Sequence, residues 1–139
     1  MTKNKEKNTS DEVLVKGPSQ TISEHQFTLK KGWVYWFDPL KKTQINVSPL
    51  VVVLSNIIHN QNSEHIIVAL VSSKNVKPIQ NVFEVYCEVE NRKLRVLLDQ
   101  IHTLHKSSFF GRAIYLGEIK KEAKKEIDEK LKFILQSDN

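Results

Sequence analysis

Apolar positions in this chain follow two regimes. Between residues 27 and 101 they gather in short runs rich in Val, Ile and aromatic residues; after Gly117 they recur every three or four positions. The first regime predicts strands and the second a helix. Gly32-Trp33-Val34-Tyr35-Trp36-Phe37-Asp38-Pro39 predicts a first strand that stops at proline. Leu50-Val51-Val52-Val53-Leu54 is apolar throughout and bounded by Pro49 and Ser55-Asn56, as a strand covered on both faces would be. Residues 65–71 repeat that texture after a polar loop over residues 56–64. Residues 82–89 alternate in part, with Glu84 and Glu88 outward, and predict a strand nearer the surface. A turn with a positive tip at Asn91-Arg92-Lys93 leads into a fifth strand over residues 94–101, and residues 103–111 predict a loop or short helical turns. Ile119, Ala123, Ile127, Leu131, Ile134 and Leu135 form one stripe of a terminal helix whose other faces carry Lys and Glu.

The expected order is therefore β-β-β-β-β-α. Parallel strands need a long crossover between them, and no helix intervenes here, so a mainly β fold with a C-terminal α element is expected: a mostly antiparallel sheet or small barrel. Residues 1–26 are polar, lack aromatic residues and carry Gly17-Pro18. They offer too little apolar surface to offset ordering entropy, so a mobile tail over 1–26 and one domain over 27–139 are expected.

Charge sharpens this picture. The chain has 139 residues and a formal net charge of +5. Its first 26 residues are balanced, as are residues 117–139, so the whole excess lies on the β-rich body. A basic body suits an anionic partner, either nucleic acid or an acidic protein segment. No apolar run approaches the roughly 18–20 residues that cross a bilayer, so no membrane association is expected. The one cysteine, Cys87, fits a reducing cytoplasm and lies mid-strand, where it reads as a core filler. Five histidines are scattered without a ligand spacing, and no Gly-rich phosphate loop or Gly-x-Ser-x-Gly elbow occurs, so neither metal nor cofactor is expected. A nuclease using the 2′-hydroxyl of RNA needs only a base, an acid and a cation or donor for the phosphorane, all available from ordinary side chains.

Four blocks taken together resemble a known family. Lys31-Gly32-Trp33-Val34-Tyr35-Trp36-Phe37-Asp38-Pro39 comes first, then Ser48-Pro49-Leu50-Val51-Val52-Val53-Leu54-Ser55-Asn56. Ile67-Val68-Ala69-Leu70-Val71-Ser72-Ser73-Lys74 and Val96-Leu97-Leu98-Asp99-Gln100-Ile101-His102-Thr103-Leu104-His105-Lys106 follow. In order and spacing they are similar to the MazF/PemK toxin family over about residues 27–136. The resemblance implies an SH3-like barrel or strongly bent antiparallel sheet, a homodimer and an acidic antitoxin. It also implies a metal-independent, cytoplasmic endoribonuclease acting on single-stranded RNA.

Carried over residue by residue, the resemblance implies catalytic roles for Ser72, at the end of the third strand, and for Asp99, as in the PemK branch. The family's phosphate-stabilising arginine before the second-strand proline is Ser48 here, and the PemK branch's arginine two residues before its aspartate is Leu97. The usual arginine and aspartate of the last block are His102 and His105. Lys41 and Lys42, in the loop expected to border the site, are the nearest replacement cations, with Lys42 placed among the catalytic group. Lys41, Lys42, Lys74, Arg95 and His102 are expected to contact RNA. Ser48 in place of arginine also admits a second expectation, a catalytically silent module that binds nucleic acid or protein.

Overall fold

The computed structural model describes residues 28–37, 49–77 and 81–138. Strands β1 (Trp33–Phe37) and β2 (Leu50–Val53) are followed by a short helix α1 (Ile57–Asn62) and by β3 (His65–Ser72). Strands β4 (Glu84–Val89) and β5 (Arg92–His105), a 3-10 turn (Lys106–Phe109), β6 (Ala113–Glu118) and helix α2 (Lys121–Leu135) complete the chain. The six strands form one sheet in the order β4-β5-β3-β2-β1-β6, and every pairing is antiparallel. The class expected from sequence, a curled antiparallel sheet with a terminal helix, is what forms.

Period-two alternation sorts the side chains onto two faces. Trp33, Tyr35 and Phe37 join Val51, Val53, Ile66, Val68 and Leu104 in one core. Val34, Val52, Ala69, Val71 and Leu94 join the other, closed by Ile119, Ala123 and Ile127 of the helix region. β2 and β3 lie inside the sheet and are covered on both sides, which is why their sequences are apolar throughout. Phe109, carried by the 3-10 turn, packs edge-on against Tyr35 and Phe37 at centroid distances of 5.4 and 5.2 Å.

Four features differ from the sequence expectation. β6 is a sixth strand, paired with β1 on the side away from β2. β5 runs on to His105, through a bulge: Ala69 faces Ile101 while Leu70 faces Leu97, so Leu98, Asp99 and Gln100 have no partner on β3. Part of the polar loop is α1, started by Asn56, whose Oδ1 accepts from the His59 N–H at 2.9 Å. Its buried Asn60 donates to the Leu29 and Ser55 carbonyls at 3.0 and 2.9 Å. Leu135, expected on the inward stripe of α2, is 72% exposed at the last helical turn.

Candidate functional site: a basic groove at the end of the third strand

A groove of about 1150 Å³ opens on the same face of the sheet that α2 packs against, lined in part by residues of that core. Its floor is apolar: Val34 and Trp36 from β1, Leu50 from β2, Leu94 from β5 and Leu116 from β6. Its rim is polar and basic, formed by Ser72, Ser73, Lys74, Arg92, Lys93 and Gln100. Among the described residues no carboxylate lines it. Three cations that make no ion pair among the described residues, although Glu88 stands opposite Lys93 on β4, give the rim a positive excess above a low-dielectric floor.

Local structure explains how each rim residue arrives. β3 ends at Ser72, and its Oγ accepts from the Lys74 N–H at 3.1 Å, folding a tight turn. Asn75, with φ +52, completes that turn in the left-handed region where asparagine is tolerated. Arg92 and Lys93 begin β5 after a two-residue turn, Glu90-Asn91, at φ +49 and +67. Positive φ at both central positions is the signature of the hairpin turn whose twist matches that of its strands. The hairpin tip is pressed against Gly117 of β6, φ +146, where a Cβ would stand 2.5 Å from Val89 Cγ1. Glycine is required there, and the contact brings the Arg92–Lys93 tip to the groove.

Ser72 lies opposite Arg95 in the β3–β5 register. The Arg95 guanidinium donates through Nη2 to Ser72 Oγ at 3.4 Å and through Nε to the Lys74 carbonyl at 3.2 Å. Its Nη1 makes an ion pair with Glu84 Oε2 at 2.9 Å. Lys74, Arg92 and Lys93 have no ion pair among the described residues.

The structure thus brings together Ser72, Lys74 and Arg95. Asp99 sits exposed in the β5 bulge and His102 lies half-buried opposite Val68; neither lines the groove. Lys41, Lys42 and Ser48 lie outside the described residues, as does the expected tail. Arg92, Lys93, Gln100 and Glu84 were not among the expected site residues, although the positive tip of the 91–93 turn was visible in the sequence.

The histidines serve other ends. His65 and His105 are cross-strand partners with ring centroids 5.5 Å apart. His105 Nδ1 accepts from the Ser107 N–H at 3.1 Å and Nε2 faces Glu64 at 3.5 Å, so this ring caps the 3-10 turn. Among the described residues no group of three His, Cys, Asp or Glu side chains is placed to hold a metal ion. Nor is any helix among them long and apolar enough to cross a membrane. Cys87 is buried, and burial followed by the nearby Glu126 charge pushes its thiol up to about 12; it is a core residue.

Several solved structures share this fold. An endoribonuclease from a mycobacterial species is 19% identical, with a TM-score of 0.58 over 78% of this chain and 92% of its own. A MazE–MazF complex from Deinococcus radiodurans is 22% identical, with a TM-score of 0.60 over 78% of this chain and 96% of its own. A mycobacterial endoribonuclease in complex with its cognate antitoxin is 20% identical, with a TM-score of 0.59 over 76% and 93%. None of the curated protein sequences matches the chain. At these identities the likeness is one of fold, but residues 30–135, well over half the chain, also match a family model described as PemK-like, MazF-like toxin of type II toxin–antitoxin systems. With the six-stranded sheet, the terminal helix and the sequence blocks now in one frame, the chain belongs to that toxin family.

Proposed function

We propose that this toxin is an endoribonuclease that cuts single-stranded RNA in the groove beside Ser72, without a metal ion. The observation that carries the reading is the groove itself: a hollow with no carboxylate among the described residues, rimmed by Lys74, Arg92 and Lys93, that ends at the Ser72 hydroxyl. Cations on a rim suit a phosphate backbone, and an apolar floor holding Trp36 suits unstacked bases. In the reaction the RNA 2′-oxygen bonds to the adjacent phosphorus as its proton passes to a base. The bond to the 5′-oxygen breaks and that oxygen takes a proton from an acid, leaving a cyclic phosphate and a 5′-hydroxyl. Ser72 donates a hydrogen bond to the phosphorane and Lys74 offsets its charge. Lys41, Lys42 and Ser48 are assigned to the site by the resemblance alone, as are the catalytic role of Asp99 and the RNA contact of His102.

The same groove fits the extended acidic segment of an antitoxin, which would compete with RNA for the rim cations. Complexes of fold relatives with antitoxins support that partner. A homodimer of the 27–139 body, working in the cytoplasm, completes the reading. The test is incubation of purified protein with a mixed RNA pool in the presence of a chelator. Cleavage with cyclic phosphate ends, lost in Ser72→Ala and Lys74→Met, is expected; an intact pool and harmless expression would overturn the reading.

A second reading is favoured by two observations. Three Arg95 donors are committed to protein groups, and the family's arginine position holds Ser48. A silent module that binds RNA or protein would then gain cleavage from Ser48→Arg.

A further inference from the structure

We infer that Arg95 and Glu84 are positioning residues, which fix the Ser72–Lys74 turn for RNA cleavage without themselves touching the RNA. The inference rests on the endoribonuclease reading above. It begins from strand order: β5 lies between β3 and β4, so Arg95 has Ser72 on one side and Tyr86 on the other. Glu84 is two residues from Tyr86 on β4, the diagonal position that a long side chain reaches. From there its carboxylate meets Nη1 at 2.9 Å. The guanidinium fork then spends Nε on the Lys74 carbonyl and Nη2 on Ser72 Oγ. Both ends of the turn are held by one rigid plane, and that plane is held by one carboxylate.

Burial separates this pair from the rim. The Arg95 and Glu84 side chains are 22% and 14% exposed. A partly buried guanidinium already paired with a carboxylate has little charge left for a phosphate, whereas Lys74 lines the groove and has no acid partner among the described residues. Glu84 is anchored in turn. Asn81 Nδ2 lies 3.5 Å from its Oε1, and Lys130 of α2 donates to the Asn81 and Glu84 carbonyls at 2.6 and 2.8 Å. A continuous set of contacts thus runs from the terminal helix to the Ser72 hydroxyl.

The test compares Glu84→Gln, Arg95→Met and Lys74→Met in the full chain, after circular dichroism shows that each is folded. Binding to a single-stranded oligonucleotide is followed against salt, with kcat and KM measured beside it. A residue that contacts a phosphate contributes about 0.7 to the slope of log affinity against log salt. Lys74→Met is expected to lose that increment. Arg95→Met and Glu84→Gln are expected to keep the slope and to lose about tenfold or more in kcat with KM little changed, the loss that follows misplacement of a reacting group. The double variant is expected to be no worse than Arg95→Met alone, because Glu84 acts through Arg95.

Amide exchange at Lys74 in the absence of RNA is expected to quicken in both variants, and it decides the positioning role even if the chain cleaves no RNA. Loss of about 0.7 in slope in Arg95→Met, or a gain of that size in Glu84→Gln, would overturn the inference. So would unchanged Lys74 exchange in both.

Discussion

Replacing Gly117 with alanine tests how the groove is closed. The residue sits in β6 opposite Val34 at φ +146, a region that side chains rarely enter, and holding a non-glycine residue there costs about 1–3 kcal/mol. The added Cβ would also stand 2.5 Å from Val89 Cγ1 and 3.2 Å from Glu90 Cγ. Val89 is buried and β-branched, so its methyl groups cannot swing aside cheaply. Overpacking of that kind adds about 1–3 kcal/mol. The expected loss is therefore roughly 2–6 kcal/mol by urea unfolding, a large share of the stability of a domain this size. Gly111→Ala is the control, since its φ is +69 but nothing lies within 4 Å of the new Cβ, so only the backbone strain remains. Adding Val89→Ala to Gly117→Ala should recover part of the steric loss, giving non-additive costs. Because the hairpin tip carries Arg92 and Lys93, Gly117→Ala should weaken RNA binding as well. Equal losses at Gly117 and Gly111 would show that the hairpin does not press on β6, and the account of how those cations reach the groove would fail.

Tyr35→Phe is expected to stabilise the fold by about 1 kcal/mol, because the Tyr35 hydroxyl is buried with no hydrogen-bond partner among the described residues; thermal unfolding checks it. Changing Lys74, Arg92 and Lys93 together to Met should flatten the salt dependence of single-stranded RNA binding by about 2 in slope, measured by fluorescence anisotropy; an unchanged slope would remove the groove as the RNA site. Stability should fall as pH rises above about 9. The unfolded chain releases the Cys87 proton near its ordinary value of 9.0, whereas the folded chain keeps it to about 12. Fewer protons are then bound unfolded than folded, so the decline runs through that window at up to about 1.4 kcal/mol per pH unit for this group. Cys87→Ala should remove that part of the decline in urea titrations at pH 8 to 11.

Where the residue type itself dictates the environment, the sequence is legible. Four or more successive apolar residues can only be a strand covered on both faces or a buried helix, and the flanking Pro49 and Ser55-Asn56 left β2 as the answer. The spacing of Ala123 and Ile127 likewise fixed the inner face of α2, with Ile119 packing beside them just ahead of the helix. Elements whose order comes from tertiary partners stayed hidden. β6 carries Gly117 near its end and has a run of three half-buried residues, so its pattern resembles neither an interior strand nor a clean alternation. α1 spans six residues and is held by the Asn60 amide reaching the Leu29 and Ser55 carbonyls, contacts no local pattern encodes. The β5 bulge is a matter of register alone.

The cations make the same point about function. Arg95, Lys74 and Arg92 look alike in sequence, each a basic residue near the end of a strand. In the fold one of them is neutralised by Glu84 and spends its donors on the Ser72–Lys74 turn, while the other two face a groove that no described carboxylate lines. Nothing in the spacing of Glu84 and Arg95 distinguishes them from solvated charges; only the placement of β4 beside β5 does. A count of basic residues therefore bounds how much anionic backbone the protein can attract, whereas, on the proposed reading, their division between binding RNA and holding the hydroxyl in place follows from strand order. That division also bears on the substitution of Ser48 for arginine. With Arg95 committed to the Ser72–Lys74 turn, Lys74 is left without an acid partner among the described residues, so on the proposed reading a phosphate clamp would be built from the cations of the rim.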